Sequence, residues 1–443
     1  MKNLKISILS VLLLTGILSS KAQDSFTLDE AINFALINNK DVQNAELGIE
    51  AAYKQKWETT ATGLPQISGK LEYQRWIKQQ VILLPDFTGQ SNNLTPEVFG
   101  TKQSLTPTIT ASQLLFDGSY LVALQSAKVF LAISENQKEK TDLQVKEQVI
   151  NAYGNVLIAQ ESVKITEQNI AAIKKNLFET KEMFSNGLVE EENVEQLQIT
   201  LGSLVNNLNN LKRLVVIGKN MLNITMGKDL HDQIELTDDL LSLSVGHMDL
   251  SIANKDFSLN KNIDLRIAEN NLESKELLLK LERSKGLPTL TSFINLSTAG
   301  NSDAFTFHHS NQRYFASSLL GVTLNVPIFS SFKRTSANQR KQIELKQSLN
   351  DYNDLNKRLK LQLEQAQSEY QLAIENLKTT KDNLRLAERI EAKNQIKFNE
   401  GIASSFDLRQ AQTQLYSLQQ EYIQSMQNVI NKKATLETII NNN

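Results

Sequence analysis

There is no cysteine in the 443 residues, so disulfides, thiolate metal sites and a lipid-modified N-terminal cysteine are all excluded. Histidine occurs four times, with His231 and His247 alone in the sequence and His308-His309 adjacent in a polar stretch without further ligands. That is too little for a metal site. No nucleophile, base and orienting acid can be identified, and no glycine loop is built to cradle phosphate, which argues against an enzyme and against any cofactor. Beyond the first 22 residues, no run approaches the roughly 18 to 20 apolar residues of a spanning helix. Large excess charge is missing too. Without Lys2, Lys5 and Lys21, the 47 basic residues fall to 44 against 49 acidic ones, so no polyanion-binding surface and no nucleic-acid partner is expected.

The first 22 residues combine basic Lys2 and Lys5, an apolar run from Ile6 to Leu18, and small Ser20 and Ala22. This pattern is that of a secretory signal removed before Gln23; the alternative is a cytosolic chain with an apolar N-terminus. A secreted chain without a spanning helix is soluble, surface-bound or inserted as a β-barrel.

Proline is confined to two windows, Pro65, Pro85, Pro96 and Pro107 in one and Pro288 and Pro327 in the other. The stretches Thr108–Leu287 and Ile328–Asn443 are proline-free and rich in Leu, Gln, Asn, Lys, Glu and Ala, the composition of long helices. In the first, Val149, Val156, Val163, Ile170, Leu177 and Phe184 recur every seven residues, interleaved with Ala152, Ala159, Thr166, Ile173 and Thr180. That is a coiled-coil seam with a small-residue layer. It resumes after Gly187 at Val194, Leu197, Leu201, Leu204, Leu208, Leu211 and Val215, so a helical hairpin is expected to turn at the glycine. At one constant shift the pattern returns: Leu363, Tyr370, Leu377, Leu384 and Phe398 answer Val149, Val156, Val163, Ile170 and Phe184, and Gly401 falls opposite Gly187. Gly63-Leu64-Pro65 likewise recurs as Gly286-Leu287-Pro288, so the chain is a duplicated unit. Helices over Gly118–Asn186 and Ser331–Glu400 would each run about 100 Å at about 1.5 Å per residue. Shorter helices, Thr27–Thr62 with Glu190–Met226 and Asn254–Gly286 with Ser404–Ile440, match that length when stacked in pairs, which suggests a long helical cylinder.

In the proline windows the period changes to two. Ile67, Gly69, Leu71 and Tyr73 alternate with Ser68, Lys70, Glu72 and Gln74, and Leu320, Val322, Leu324, Val326 and Ile328 with Gly321, Thr323, Asn325 and Pro327. Such strands face either lipid and a polar lumen, or the core and solvent of a soluble sheet. The leader and the long polar loops at Lys78–Leu105 and Ala299–Gln312 favour an outer-membrane barrel. Tyr73, Trp76, Phe305, Phe307, Tyr314 and Phe315 are placed for one interfacial girdle and Trp57, Phe116, Phe329 and Phe332 for the other, with simple core packing as the alternative. Four strands cannot close a barrel, so a dimer of eight or a trimer of twelve strands is required. The resulting division is 1–22 leader, 23–65 helical, 66–116 β-hairpin, 117–228 helical hairpin, 229–253 equatorial segment, 254–288 helical, 289–329 β-hairpin and 330–443 helical hairpin.

Over essentially the whole mature length this sequence resembles the TolC-type outer-membrane efflux proteins. The residues that carry the resemblance are Thr27-Leu28-Asp29-Glu30-Ala31, the paired Gly-Leu-Pro entries, Pro327-Ile328-Phe329, and the two glycine-centred tips, Phe184–Leu188 with Asn193-Val194 and Phe398–Ile402 with Asp407-Leu408. The resemblance implies a mainly α fold with a small β part: a homotrimer with a twelve-stranded transmembrane β-barrel, a long α-helical coiled-coil barrel in the periplasm, and an equatorial belt. It also implies a periplasmic adaptor (membrane fusion) protein at the tips and an inner-membrane transporter of RND, ABC or MFS type beyond it. The chain departs from the family where Asp117-Gly118 and Ser330-Ser331 replace Gly-Gly, so those turns are expected to differ. At the gate positions, a Tyr and an Arg in the best-studied member, stand Phe398 and Ala403.

From the resemblance, Asp407 is the lumenal aspartate, and the family's second one is replaced by Gln410. Three converging carboxylates would favour cations; the plainer reading of Asp407 is a solvated residue at a helix start. The constriction candidates are Asp407, Gln410, Asn193 and Phe398, and the adaptor-contacting candidates are Gly187, Leu188, Gly401 and Ile402. Glu190, Glu191, Glu192 and Glu195 would stabilise a helix start before shaping an entrance. The expected function is the outer-membrane duct of a tripartite efflux system for small molecules; the alternatives are a type I protein-secretion exit duct of the same fold and a secreted structural coiled coil.

Overall fold

The computed structural model describes residues 24–85, 94–249 and 259–440. In chain order the elements are β1 (Asp24–Phe26), α1 (Leu28–Asn38), α2 (Lys40–Ala61), β2 (Gln66–Arg75), β3 (Val81–Pro85), β4 (Leu94–Val98), β5 (Gln103–Asp117), α3 (Gly118–Ser185), α4 (Glu191–Met226), β6 (Ile234–Leu236), α5 (Leu240–Gly246), α6 (Ile263–Ser284), β7 (Thr289–Ser302), β8 (Tyr314–Asn325), α7 (Lys333–Asn399) and α8 (Ser405–Ile440). A short 3-10 turn at Leu259–Lys261 precedes α6. Among the described residues no helix is long and apolar enough to cross a membrane. The chain divides into two compact units, one of residues up to Leu47, Asn136–Ile267 and Asn353 onward, the other of Gly48–Glu135 and Ala268–Tyr352.

The second unit is organised by an antiparallel sheet in the order β2-β5-β7-β8. Opposed residues of an antiparallel pair share a face. The register therefore sets Ile67 and Leu71 beside Ala111 and Pro107, Ile109 beside Leu296, Ala111 beside Ile294, and Ile294 beside Leu320. One face is apolar across all four strands, yet Ile67, Leu71, Ile109, Leu320, Val322 and Leu324 are all exposed on it. The other face is mostly hydroxyls and amides, with Phe293, Phe315 and Leu319 among them, and is joined by Thr110 Oγ1 to Asn295 Oδ1 at 2.8 Å and Ser297 to Ser317 at 2.8 Å. Apart from Asp117 at the helix junction, its only charged side chains within the strands are Lys70 and Glu72, which pair with each other. A β-bulge between Leu114 and Phe116 ends the regular register where β5 runs into α3.

The departures from Gly-Gly each have a local solution. Asp117 Oδ1 accepts from the N–H groups of Ser119 (2.6 Å) and Tyr120 (3.3 Å), which caps α3. Before α7, Ser331 and Phe332 hold positive φ of 48° and 63°, a region that costs a non-glycine residue about 1 kcal/mol or more. Arg334 ties that turn down, donating from Nη1 to Pro327 O at 2.8 Å, from Nη2 to Ile328 O at 3.1 Å and from Nε to Ser330 Oγ at 3.1 Å.

The first unit holds the helical hairpins. Most of the expected seam is its core: Val149, Ala152, Val156, Ala159, Thr166, Ile170 and Ile173 of α3 are buried, as are Leu363, Ala366, Tyr370, Ala373 and Leu377 of α7, whereas Val163, Leu177 and Leu384 are half-buried and Phe184, next to the tip, is exposed. On the return helices, Leu415, Val429 and Leu436 of α8 are buried. Leu201, Leu204, Leu208, Leu211 and Val215 of α4 are only half-buried, and Ile199, Val216, Ile217, Met221 and Ile224 beside them are exposed. The return helix of the first hairpin is thus covered on one side only.

One helix was expected over Thr27–Thr62; the structure breaks it at Asn39. Asn39 N–H still donates to Ala35 O (2.8 Å), while its Oδ1 accepts from Asp41 N–H (2.8 Å) and Val42 N–H (3.4 Å), ending α1 and capping α2. Its Nδ2 donates to Thr225 O near the end of α4 (2.7 Å). The duplication repeats the joint at Asn262, which stands to Gly286 as Asn39 stands to Gly63. Asn262 Oδ1 accepts from Asp264 N–H (3.0 Å) and Leu265 N–H (3.1 Å), and its Nδ2 donates to the carbonyl of Ile439, the counterpart of Thr225 (2.7 Å). Two strand pairs were also not anticipated: β1 lies parallel to β6, and β3 pairs with β4 inside the expected polar loop. The apolar Val81–Pro85 run supplied the signal for the second; three residues are too few to show a period in the first.

Both joint asparagines are buried, so Asn39→Ala and Asn262→Ala each strand backbone groups at a helix end. The expected cost is about 2 kcal/mol for each. Amide exchange should accelerate around residues 36–44 in the first variant and 259–267 in the second, and exchange unchanged from wild type would contradict the role given to the joint.

Candidate functional site at the helical tips

Both hairpins turn by the same backbone device. Leu188 N–H donates to Met183 O (2.9 Å) and Gly187 N–H to Phe184 O (2.9 Å); at the other tip Ile402 N–H donates to Lys397 O (2.8 Å) and Gly401 N–H to Phe398 O (3.0 Å). These are Schellman caps with glycine in the left-handed position, φ +75° at Gly187 and +71° at Gly401. A Cβ on either glycine would meet nothing within 4 Å, so the residue is required by its φ and not by a close neighbour in this chain. Leu188 and Ile402 stand exposed beside them, at 70% and 76%.

The chains leaving the two tips differ. Ser404 and Asp407 form a capping box: Asp407 N–H donates to Ser404 Oγ (3.2 Å), while Asp407 Oδ2 accepts from Ser404 N–H (3.0 Å) and Ser404 Oγ–H (2.6 Å). These bonds hold the exposed Asp407 carboxyl below its ordinary value, with nearby Lys397 adding to the effect. At the first tip Glu190 occupies the cap position without a side-chain bond, and Glu191 and Glu192 merely sit in the positive first turn.

Asn193 Oδ1 accepts a short hydrogen bond from Ser405 Oγ, which ties the two tips together. Phe398 is 5% exposed and packs inside, while Gln410 is exposed. Gln410 lines an open groove of about 710 Å³ along α8 with Phe406, Arg409, Thr413, Gln414, Ser417 and Leu418, and Arg409 lies 5.5 Å from the Phe406 ring. The structure therefore brings Asp407, Asn193 and the Ser404-Ser405 pair to one end, with Phe398 behind them.

Sequence reasoning passed over Ser404 and Ser405, and a polar stripe beside the seam. Asn155, Ser162, Asn169 and Asn176 of α3 recur every seven residues and meet Gln427 (2.6 Å), Gln420 (3.4 Å), Gln419 (2.8 Å) and Gln395 (2.7 Å). The period was there to be read, but only in the polar residues. Such pairs bias helix register, since a slip leaves the buried Asn176, Gln427 and Ser162 unpaired.

Two buried tyrosines anchor the segment between α4 and α6. Tyr153 Oη donates toward Phe26 O and Asp238 Oδ2, both 2.9 Å away, and Asp238 Oδ2 also accepts from Leu28 N–H (2.6 Å). Thr27 and Glu30 cap that helix reciprocally, which gives the Thr27–Ala31 motif its physical reason. Tyr370 Oη donates to His247 O and accepts from Asp249 N–H (2.9 Å). Burial, with Lys433 assisting, holds the His247 ring below its ordinary value despite Nδ1 lying 2.7 Å from Leu243 O and despite Glu437 and Asp29 nearby. The His308 and His309 rings meet edge to face with centroids 4.2 Å apart, and among the described residues no three His, Asp or Glu are placed to hold a metal ion.

The chain thus holds long duplicated helical hairpins and a four-stranded sheet with one apolar and one mostly polar face. The sequence matches the outer membrane efflux protein family over residues 31–228 and 256–442, and the chain belongs to that family. A comparison with curated protein sequences finds no match. Among solved structures it is similar to the outer membrane protein VceC of Vibrio cholerae (15% identity, TM-score 0.72, covering 93% of this chain and 95% of that one). It is also similar to the CmeC outer membrane channel of Campylobacter jejuni (16%, 0.73, 93% and 85%) and to the open state of the MtrE outer membrane channel of Neisseria gonorrhoeae (14%, 0.68, 93% and 88%). At those identities the likeness is one of fold. With the family, it makes the protein an efflux channel of the outer membrane and not an enzyme.

Both depressed groups lose their stabilisation in acid, at different pH. Neutral His247 contributes fully above its unfolded value of about 6.5 and less as pH falls through its lower folded value. The Asp407 box holds until pH drops below about 4. Amide exchange at 240–249 should therefore rise at mildly acidic pH while residues 404–408 remain protected, and His247→Gln should remove the first step alone.

Proposed function

We propose that three copies of this chain close a twelve-stranded barrel in the outer membrane and continue it as a helical duct through the periplasm, carrying small molecules to the exterior. The observation that carries this reading is the sheet: β2 and β8 each pair on one side only, and its exposed face is apolar from edge to edge. Pairing β8 of one copy with β2 of the next satisfies both edges, and lipid covers the apolar face. The half-covered seam of α4 supports the same assembly, because a neighbouring helix would complete it. Removal of the first 22 residues as a secretory leader belongs to this reading; they lie outside the described residues.

The periplasmic end is the functional constriction in this proposal. Asp407, Gln410 and Asn193 line it, Phe398 backs the turn from inside, and Gly187, Leu188, Gly401 and Ile402 present the tips to a periplasmic adaptor, which joins the duct to an inner-membrane transporter. The paired Lys70 and Glu72 cancel, and Asp117, the remaining charge of the strand face, is bonded to the α3 start, so ion preference falls mainly to the tips. A ring of three Asp407 carboxylates favours cations.

Asp407→Asn keeps an oxygen for the Ser404 bonds and removes the charge. In single-channel recordings it should abolish most of the cation preference with little change in assembly, and an unaltered reversal potential would overturn the ring. Gly187→Trp with Gly401→Trp should block adaptor association in co-purification from outer membranes while the trimer persists; retained association would remove the tips from the docking surface.

A further inference from the structure

At the end of the sheet away from the helices the β2-β5 ribbon bends, at Ile77-Lys78 on one strand and at Gly100 (φ +93°) and Lys102 on the other, and resumes as the separate pair β3-β4. Trp76 N–H donates to Lys102 O (2.8 Å) and Gln79 Nε2 to Gly100 O (3.0 Å), after which Val81 pairs with Val98, Leu83 with Pro96 and Pro85 with Leu94. Opposed residues share a face, so these six form one wholly apolar side. Among the described residues nothing covers it: Val81, Leu83, Leu94 and Val98 are 48%, 59%, 57% and 51% exposed, and Ile77 and Phe99 at its base are exposed as well. A two-stranded ribbon is marginal in water, so a surface that accepts this face is needed to hold it.

The chemistry around the ribbon selects that surface. Arg75, Lys78 and Lys102 stand exposed at its base, and none of these side chains has an ion pair or hydrogen bond among the described residues. Arg75 ends β2 two residues from Tyr73 and on the same face, the one that carries Ile67 and Leu71. Tyr73 packs on Phe305 (ring centroids 5.8 Å) and Phe305 on Phe307 (5.5 Å), an aromatic cluster directly between the apolar strand face and the cations. Apolar face, aromatic level and unpaired cations follow one another in the order of acyl chain, interface and phosphate.

We propose that the β3-β4 ribbon lies on the anionic lipid leaflet, with the Val81-Leu83-Leu94-Val98 face against acyl chains and Arg75, Lys78 and Lys102 on lipid phosphates. This rests on the reading that the apolar sheet face meets lipid. A second copy of the ribbon is the poorer occupant, because it would bring three cations of each copy together with only Glu97 and Asp303, whose Oδ1 accepts from Lys102 N–H (3.0 Å), among the described residues at the ribbon to offset them.

The test uses the full-length protein in vesicles of phosphatidylcholine and phosphatidylglycerol with brominated acyl chains, with Trp57 and Trp76 replaced by Phe and one reporter introduced, Leu83→Trp on the ribbon or Leu320→Trp on the sheet. Both reporters should be quenched. Quenching at 320 without quenching at 83 overturns the ribbon proposal alone; absence at both overturns the barrel reading with it. Blue-shifted but unquenched emission at 83 that depends on protein concentration assigns the face to another copy and equally overturns the proposal. Separately, Arg75→Gln, Lys78→Gln and Lys102→Gln together should lower the preference for phosphatidylglycerol over phosphatidylcholine in the co-purified lipid by roughly a factor of five for each cation. An unchanged ratio removes the phosphates from the proposal.

Discussion

A strand edge in lipid has no water to fall back on, so each unpaired N–H and C=O there costs several kcal/mol. The sheet here has four strands, two of them with an open edge, and an apolar face that suits only an apolar solvent. Closure by further copies follows from those facts together. It also sets what the rest of the chain must do, because strands that close around an axis deliver their connecting helices around the same axis. The Asp117 cap and the Arg334 clamp secure the starts of α3 and α7, where each leaves its strand.

Helices as long as α3 and α7 face a different difficulty, since a hydrophobic seam tolerates a slip of one heptad. The ladder of Asn155, Ser162, Asn169 and Asn176 opposes that slip because its partners, Gln427, Gln420 and Gln419 on α8 and Gln395 on α7, do not keep the seven-residue spacing. Asn39 and Asn262 do the same for the shorter helices, tying each break to the far end of another helix. Hydrophobic burial thus supplies cohesion and the amides supply alignment.

How much of this was legible in the sequence depended on period and length. The seams, the strand alternation and the glycine turns repeat, and Val149, Leu71 and Gly187 could be placed from spacing alone. The break at Asn39 could not, because one asparagine in an otherwise helical run looks like any surface residue until Thr225 O is seen opposite it. β1 and β6 were too short to show a pattern, and β3 was hidden in a loop judged by its overall polarity. At the tip, Asp407 was read by its position and its capping partner Ser404 was overlooked, although a serine three residues before an acid at a helix start is a readable signal.

The two tips share a backbone turn but not a cap. The Ser404-Asp407 box fixes the start of α8, whereas the start of α4 at Glu190 relies on exposed carboxylates near a positive helix end. The second tip is therefore stiff and the first soft, although the helices that carry them are near copies. In the proposed ring of three chains stiff and soft ends would alternate, so the six tips would be threefold and not sixfold in compliance. A partner that presses on all the tips would then load the soft ones first, with the Ser405–Asn193 bond passing the strain to their stiff neighbours.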